Sequence, residues 1–270
     1  MAVPPRLIMS QSDVVTLSNM MKMDWDHYRI PSGSSIRKKQ VMAMSKQRKN
    51  TTYLLKIIVI LSALIGIILS ALGGRDSFMG GRTVFMYFTI QSNIAIAVIC
   101  MIGAYLLIKN AEIPAVWFLI KYVGTVAITL TGVVFCFVLA PTMGILAWNI
   151  QNILTHVVVP AAAVADFFVT GPYGSFRRSD ALFVTIPPLV YVIYAGIGYV
   201  RNWQFGPGFN FPYFFLNWGH PIGVLGFSRQ FPFMGTIWWI LFLLMFLLAV
   251  GSLYISIVMK AKKREGIHEQ

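Results

Sequence analysis

The sequence predicts an all-α, polytopic membrane protein: a six-helix transmembrane bundle with the N and C termini both on the cytoplasmic side. Of the 270 residues, 57% are hydrophobic and 11% are charged, whereas soluble domains carry about 25% charged residues. Six apolar segments are long enough to span a bilayer, and the basic residues between them are unequally distributed. Lipid is therefore expected to act as the solvent for much of the chain.

Six apolar segments define the predicted membrane domain, residues 52–259. They run over about 52–72, 83–108, 116–140, 148–170, 181–200 and 236–259. Each reaches the roughly 20 residues that an α-helix needs to cross the hydrocarbon core. Most connections are short, so neighbouring helices are expected to run antiparallel. The fifth connection, about 201–235, is long and aromatic, with six glycines and four prolines.

The distribution of Lys and Arg predicts the orientation. The N-terminal tail carries nine, the second connection one, the fourth two and the C-terminal tail four, which places sixteen on one side. The first, third and fifth connections together carry four. Cytoplasmic segments carry the excess of basic residues in multi-pass proteins. We therefore expect both tails inside, the fifth connection outside, and the protein in the plasma (cytoplasmic) membrane.

Two basic tails, residues 1–51 and 260–270, flank the membrane domain. The first has no long apolar run, so we expect a disordered cytoplasmic segment with a short amphipathic helix near Val14 to Met23. It shows no cleavable secretory signal. Translation is expected to start at one of three methionines, Met1, Met42 or Met44.

The net charge of +13 does not indicate nucleic-acid binding, because the basic residues lie at the ends and in the connections. Such charge attracts anionic lipid headgroups, so the expected partners are the bilayer and a lipid-like substrate. Cys100 and Cys136 lie in apolar segments near opposite membrane faces, which argues against a disulfide. Two cysteines without further ligands do not make a metal site. No nucleotide-binding motif is visible, so no cofactor is expected.

Polar residues inside the spans indicate the interior of the bundle, because polar groups are costly in hydrocarbon. In the second span, Thr89, Ser92 and Asn93 share one helix face at about 100° per residue. One interpretation is hydrogen bonding between helices, which these residue types commonly provide in membranes. The other interpretation is a functional site.

The fourth span carries a polar stripe at helical spacing, formed by Asn149, Asn152, His156, Pro160 and Ala163. His156 is the only histidine in any span. It is either a base or a buried ring that Asn152 satisfies, and we expect desolvation to keep it neutral. Pro160 cannot donate a hydrogen bond to the carbonyl of His156, which predicts a kink there.

Thr89 and His156 are predicted at similar depths in the outer half of the bilayer. They lie six residues after Thr83 and eight residues after Trp148, which correspond to roughly 9 Å and 12 Å of helix. A hydroxyl and an imidazole at matched depth are the minimum for a base-activated nucleophile. We therefore expect them within hydrogen-bond reach, or one water apart, in a cavity bounded by aromatic residues of the fifth connection: Trp203, Phe211, Tyr213 and Trp218.

Lys121 and Asp166 lie near the inner ends of the third and fourth spans. An unpaired charge at such a position is costly, so we predict a structural ion pair between them. Asp166 lies ten residues past His156, roughly 15 Å along a helix. It is therefore too distant to be the third member of a catalytic triad.

Several motifs of the chain resemble one known family. They are Tyr87-Phe88-Thr89-Ile90-Gln91-Ser92-Asn93 in the second span, His156-Val157-Val158-Val159-Pro160 leading to Asp166-Phe167-Phe168 in the fourth, Pro187-Pro188-Leu189-Val190-Tyr191 in the fifth, and Phe211-Pro212-Tyr213-Phe214-Phe215 after it. In order and spacing they resemble the androgen-induced-gene-one family of six-span membrane proteins, and its bacterial relatives most closely. The resemblance covers about residues 52–259.

The resemblance implies an activity and two catalytic residues. Animal members of the family are threonine hydrolases that cleave esters of branched hydroxy fatty acids with one intramembrane Thr and one His. Thr89 matches the nucleophile, and His156 matches the histidine. The residues Gln91-Ser92-Asn93 and the spacing from His156 to Pro160 depart from the animal pattern.

Three functional hypotheses remain open. In the first, the protein hydrolyses lipid-like esters: Thr89 attacks, His156 takes the proton, Asn152 orients the imidazole, and Ser92 or Asn93 stabilises the oxyanion. In the second, it binds or transports a lipid or small solute, although the sequence shows no internal repeat. In the third, it is a structural or partner-binding protein whose polar residues only join helices.

Overall fold

The computed structural model describes residues 44–73, 81–111, 113–171 and 176–268, with backbone alone for 264–268. The all-α class and the six apolar helices are confirmed, and the helices imply contact with a lipid bilayer. Each is long and apolar enough to cross a membrane: α1 Lys46–Gly73, α2 Phe88–Ile108, α3 Ala115–Ala147, α4 Ile150–Thr170, α5 Arg178–Val200 and α6 Thr236–His268. The amphipathic helix expected near Val14 to Met23 lies outside the described residues.

The helix ends differ from the predicted spans at several points. Helix α1 begins at Lys46 and α6 continues to His268, so part of each predicted tail is helical. The second span opens as a 3-10 helix, Gly81–Met86, and α2 itself starts only at Phe88. Helix α5 also opens with a 3-10 segment, Arg178–Thr185. Hydropathy marks where a chain is apolar, but it does not distinguish one type of helical turn from another.

Helices α3 and α4 are the centre of the bundle. In an apolar stretch of 18 residues from each helix, 56% of the residues of α3 and 50% of those of α4 are buried, compared with 22% in α1 and in α6. Helix α1 packs on α4 and α2, and α6 packs on the start of α5 and on α3. The outward faces of α1 and α6 carry exposed large apolar side chains. Lipid suits such faces, so the buried polar side chains point toward the interior of the bundle.

The connection 201–235 covers one end of the bundle, which we call the outer end after the predicted orientation. Tyr87, just before α2, donates its phenolic hydroxyl to the carbonyl of Phe205 at 2.9 Å. The ring of Tyr213 packs edge-on against Tyr87, with centroids 5.6 Å apart, and stacks on Phe215 at 5.0 Å. These contacts hold the connection against the beginning of α2.

Helices α3 and α4 each contain one π-helical turn, Phe135–Leu139 and Leu154–Val158. A proline follows each turn by two residues, at Pro141 and Pro160. Proline has no N–H, so the carbonyl four residues earlier loses its helical hydrogen bond, and a wider turn accommodates the break. At Pro160, where the sequence predicts a kink, the helix therefore widens.

Gly132 allows α3 to approach this wide turn of α4. A Cβ atom at Gly132 would lie 2.9 Å from the carbonyl oxygen of His156 and 3.1 Å from the ring of Pro160. Any side chain would push the helices apart, so the close approach requires glycine. The carbonyl that Pro160 frees is consequently packed against the backbone of α3.

A buried cluster of three charged side chains joins α1, α3 and α4 in the inner half of the bundle. Lys121 Nζ lies 3.0 Å from Asp166 Oδ2, and Lys56 Nζ lies 2.8 Å from the same oxygen. Thr170 Oγ1 donates to Asp166 Oδ1 at 2.8 Å. The sequence analysis expected Asp166 to pair with one lysine, whereas the carboxylate contacts two. Lys56 lies within the first predicted span, but the sequence does not show that this span packs against α4.

Replacing Asp166 by Asn should destabilise the protein strongly. The substitution leaves two buried ammonium groups without a counter-charge, and breaking a buried pair in this way typically costs about 3–5 kcal/mol. The measurement is the free energy of unfolding in detergent. The matched control adds Lys56→Met and Lys121→Met to Asp166→Asn, which removes the uncompensated charges and should recover most of the loss. If Asp166→Asn is as stable as wild type, the cluster has no structural role.

The orientation can be tested with single cysteines in a variant that lacks Cys100 and Cys136. Ser228→Cys, exposed in the connection 201–235, should react with a membrane-impermeant maleimide added to intact cells. Lys109→Cys, exposed after α2, should react only once the membrane is permeabilised, because basic segments stay inside. The opposite pattern of labelling would reverse the predicted topology.

Candidate functional site

Thr89 is the second residue of α2, at the outer end of the bundle. The first turn of a helix leaves its backbone N–H groups without intrahelical partners. The N–H of Thr89 donates to the phenolic oxygen of Tyr213 at 3.3 Å, and Thr89 Oγ1 lies 3.4 Å from the same oxygen. Burial raises the pKa of Tyr213, so the phenol stays protonated. The connection therefore places a hydrogen-bond donor beside the Thr89 hydroxyl.

His156 lies in the π turn of α4, and its ring nitrogen Nδ1 is bound to that helix. Nδ1 is 3.1 Å from the carbonyl oxygen of Asn152 and 3.0 Å from Thr155 Oγ1. A carbonyl only accepts hydrogen bonds, so Nδ1 carries the proton when the ring is neutral. The lone pair is then on Nε2, the nitrogen that neither contact uses. This tautomer can act as a general base through Nε2.

Phe135 fixes the plane of the His156 ring. The two rings stack with centroids 4.0 Å apart and planes inclined by 23°, and Trp148 packs edge-on against Phe135 at 5.6 Å. Phe135 is the first residue of the π turn in α3, so the two π turns meet at this ring pair. Because Nδ1 is bound to backbone and one ring face is covered, the direction of Nε2 is restricted.

A cavity of about 610 Å³ has both Thr89 and His156 in its lining. The shared cavity expected from the sequence is therefore present, at the outer end of the bundle. One wall is polar and comes from α4, and another is aromatic and comes from the connection. The polar wall contains Asn149, Gln151, Asn152 and Thr155, and the aromatic wall contains Phe209, Phe211, Tyr213 and Phe214.

Ser92 and Asn93 join helices and are not among the described residues that line the cavity. Asn93 Nδ2 donates to the carbonyl oxygen of Thr89 at 2.8 Å and to that of Thr155 at 3.1 Å. Ser92 Oγ donates to the Thr89 carbonyl at 3.0 Å and lies 2.8 Å from Thr131 Oγ1. These contacts favour hydrogen bonding between helices over the oxyanion role that the sequence suggested.

Asn152 contacts the imidazole through its backbone. Its carbonyl accepts the Nδ1–H of His156, while its side chain donates to the carbonyl of Ala147 at 2.9 Å. The orienting group is therefore set by the path of α4 rather than by an amide side chain. A substitution at Asn152 need not release the ring.

The aromatic residues expected around the cavity divide into two groups. Phe211 and Tyr213 are in the described lining, whereas Trp203 and Trp218 are not. Trp203 packs against Tyr194 of α5, with ring centroids 5.4 Å apart. Aromatic composition indicated the right segment, but it did not distinguish which rings turn toward the bundle.

The sequence analysis did not predict the hydroxyl contacts of Thr155 and Tyr213 in the site. Thr155 precedes His156 directly, and adjacent residues are not expected to face each other on a regular helix; the π turn changes that geometry. Tyr213 was expected as an aromatic wall, and no periodic pattern in the connection indicated that its hydroxyl would meet Thr89. The motif Phe211-Pro212-Tyr213-Phe214-Phe215 was the available signal.

Comparisons of the chain with family models, with curated proteins and with solved structures give no match. The six long apolar helices make the chain an integral, multi-span membrane protein, and no family is assigned from these comparisons.

Asn93→Leu should lower the free energy of unfolding by about 1–3 kcal/mol, since it leaves the buried carbonyl of Thr155 without its side-chain donor. Gln91→Leu is the matched control, because it replaces an exposed amide on the same helix. That change should stay within about 0.5 kcal/mol of wild type. Equal effects of the two substitutions, measured by unfolding in detergent, would contradict a bridging role for Asn93.

Proposed function

We propose that this protein is an intramembrane hydrolase of lipid-like, fatty acyl esters, with Thr89 as the nucleophile and His156 as the base. The observation that carries the proposal is the shared cavity, lined by a hydroxyl at the start of a helix and by a buried imidazole. The resemblance to the androgen-induced-gene-one family and its bacterial branch supports the same two residues. The site serves the outer leaflet of the plasma membrane in this proposal.

Acylation follows from the tautomer of His156. Thr89 Oγ1 attacks the ester carbonyl carbon, and its proton passes to Nε2 directly or through one water. The carbonyl oxygen becomes an oxyanion in the tetrahedral intermediate. When the intermediate collapses, the bond to the alcohol oxygen breaks, and that oxygen takes the proton from Nε2. The products of this step are acyl-threonine and a free alcohol.

Deacylation repeats the sequence with water. A water molecule attacks the acyl carbon and gives one proton to Nε2. Collapse of the second tetrahedral intermediate breaks the bond to Thr89 Oγ1, which takes the proton back. The fatty acid leaves, and both side chains return to their starting states without any cofactor.

Tyr213 and the N terminus of α2 stabilise the oxyanion in this scheme. The Tyr213 hydroxyl lies 3.4 Å from Thr89 Oγ1 and remains protonated, so it can donate to an oxygen bound to the same carbon. The N terminus of a helix also carries a partial positive charge. Tyr213 thus takes the role first considered for Ser92 and Asn93.

Thr155 is the competing nucleophile, because its hydroxyl lies beside the His156 ring. Its Oγ1 donates to the carbonyl of Gln151 at 2.8 Å, which uses its proton. It therefore accepts from the Nδ1–H of His156 and has no base to activate it. This arrangement favours Thr89 as the nucleophile.

A non-catalytic function is the second candidate, and the size of the cavity favours it equally well. Pockets that bind small molecules typically have volumes of about 300–1,000 Å³, whether or not they react with the ligand, and the outer cavity lies in this range. A lipid-binding or transport protein needs the cavity but not the reactivity of one hydroxyl. The two candidates therefore differ in whether Thr89 forms a covalent bond.

Thr89→Ala should abolish covalent labelling of the purified protein by a fluorophosphonate probe, and His156→Gln should slow labelling by about 10²–10⁴-fold. Thr89→Ser should retain labelling, because it keeps a hydroxyl on the same carbon. Release of fatty acid from a model long-chain ester should follow the same order among the variants.

Two hydroxyl-removing controls make this test specific. Thr155→Val removes the competing nucleophile from the cavity, and Thr129→Val removes a hydroxyl of α3 that bonds Thr125 and Tyr254 instead. Both controls should keep the labelling if they fold. Labelling that persists in Thr89→Ala, or that is absent from folded wild type, would leave the binding function as the better explanation.

A further inference from the structure

A second, narrow crevice leads away from Thr89 into the membrane interior. Its volume is about 60 Å³, compared with about 610 Å³ for the outer cavity. The two spaces share three lining residues, Thr89, Leu139 and Tyr213. The crevice is walled by the start of α2, by α3, α5 and α6, and by the connection 201–235. Because so many segments enclose so small a volume, the crevice is a narrow slot and not a wide cavity.

The wall of the crevice is almost entirely apolar. Apart from Thr89 and Tyr213, the described lining contains two hydroxyls, and the protein uses both. Thr131 Oγ1 lies 2.8 Å from Ser92 Oγ, and Tyr191 donates to the carbonyl of Met86 at 3.1 Å. Among the described lining residues, the hydroxyls left to meet a ligand are those of Thr89 and Tyr213, where the crevice joins the outer cavity.

The crevice also extends deep into the bilayer. Leu244 of α6 lies eight residues beyond Thr236, or roughly 12 Å along the helix. Pro188 of α5 lies twelve residues before Val200, or roughly 18 Å along its helix. A ligand that fills the crevice therefore has its far end near the middle of the hydrocarbon and its near end at Thr89.

We infer that the crevice binds the carbons of the acyl chain that lie next to the carbonyl, with the carbonyl carbon at Thr89 and the alcohol portion in the outer cavity. An unbranched alkyl chain fits a narrow slot whose walls offer no hydrogen-bonding groups. The ester carbonyl is polar, and the hydroxyls at the Thr89 end of the slot can hydrogen-bond it. The wider cavity, with its amide side chains, suits a bulkier and more polar alcohol. The inference rests on the proposed function for the identity of the ligand as an ester. The crevice walls then select acyl chains whose first carbons fit between them.

Photo-crosslinking tests the inference without requiring turnover. The probe is the methyl ester of a fatty acid with a diazirine on one of the first carbons after the carbonyl. Crosslinks should map to crevice residues such as Val192, Leu243 and Leu244, in wild type and in Thr89→Ala, and unlabelled ester should compete. Leu244→Trp should reduce crosslinking by about tenfold or more by filling the slot. Leu241→Trp adds the same bulk on the exposed face of α6 and should change nothing.

Hydrolysis provides the second measurement. Leu244→Trp should slow cleavage of long-chain esters far more than cleavage of acetyl esters, whereas Leu241→Trp should slow neither. Crosslinks confined to the outer cavity or the lipid-facing surface, or undiminished in Leu244→Trp, would overturn the inference. If crosslinking is as expected but no ester is cleaved, the proposed function fails and the crevice remains a lipid-binding site.

Discussion

The hydrogen bond that Pro160 removes from α4 is the constraint on which the outer half of the structure depends. Hydrocarbon offers no replacement for a missing backbone donor, so the helix widens into a π turn and the freed carbonyl of His156 is packed against α3. Gly132 is the residue that allows that approach. The approach brings Phe135 onto the imidazole, and the altered helical path brings the Asn152 carbonyl to Nδ1. The position of Nε2 is thus set by backbone geometry.

Thr89 is joined to this arrangement by Asn93, which is not among the described residues that line the cavity, and by Tyr213, which is. Asn93 bridges the carbonyls of Thr89 and Thr155, so the beginning of α2 and the π turn of α4 are held at one distance. Tyr213 completes the first turn of α2 from outside. Held in this way, the hydroxyl and the imidazole would need little reorganisation for the proposed reaction. Such preorganisation is where enzymes gain most of their electrostatic stabilisation.

Much of the fold was predictable, because the length and hydropathy of a transmembrane helix follow directly from the thickness of the bilayer. The local geometry was less predictable. The depth of Thr89 was estimated on a continuous helix from Thr83, but the chain forms a 3-10 helix there and α2 begins at Phe88. The partner of Thr89 comes from an irregular connection, for which periodicity gives no direction. Lys56 was placed within the first span but given no partner, because hydropathy does not show which helices pack side by side.

The two polar regions of the bundle have different physical characters, and the difference suits different functions. In the inner half, Asp166 binds Lys56 and Lys121 and thereby joins three helices through a buried charge cluster that is costly to break. In the outer half, the groups around the cavity are hydroxyls, amides and one imidazole. Neutral groups can be exposed to a ligand or to water without the large desolvation changes that charges suffer. The charged cluster therefore joins the helices of the inner half, while the neutral groups of the outer half leave a cavity that can admit a ligand or water.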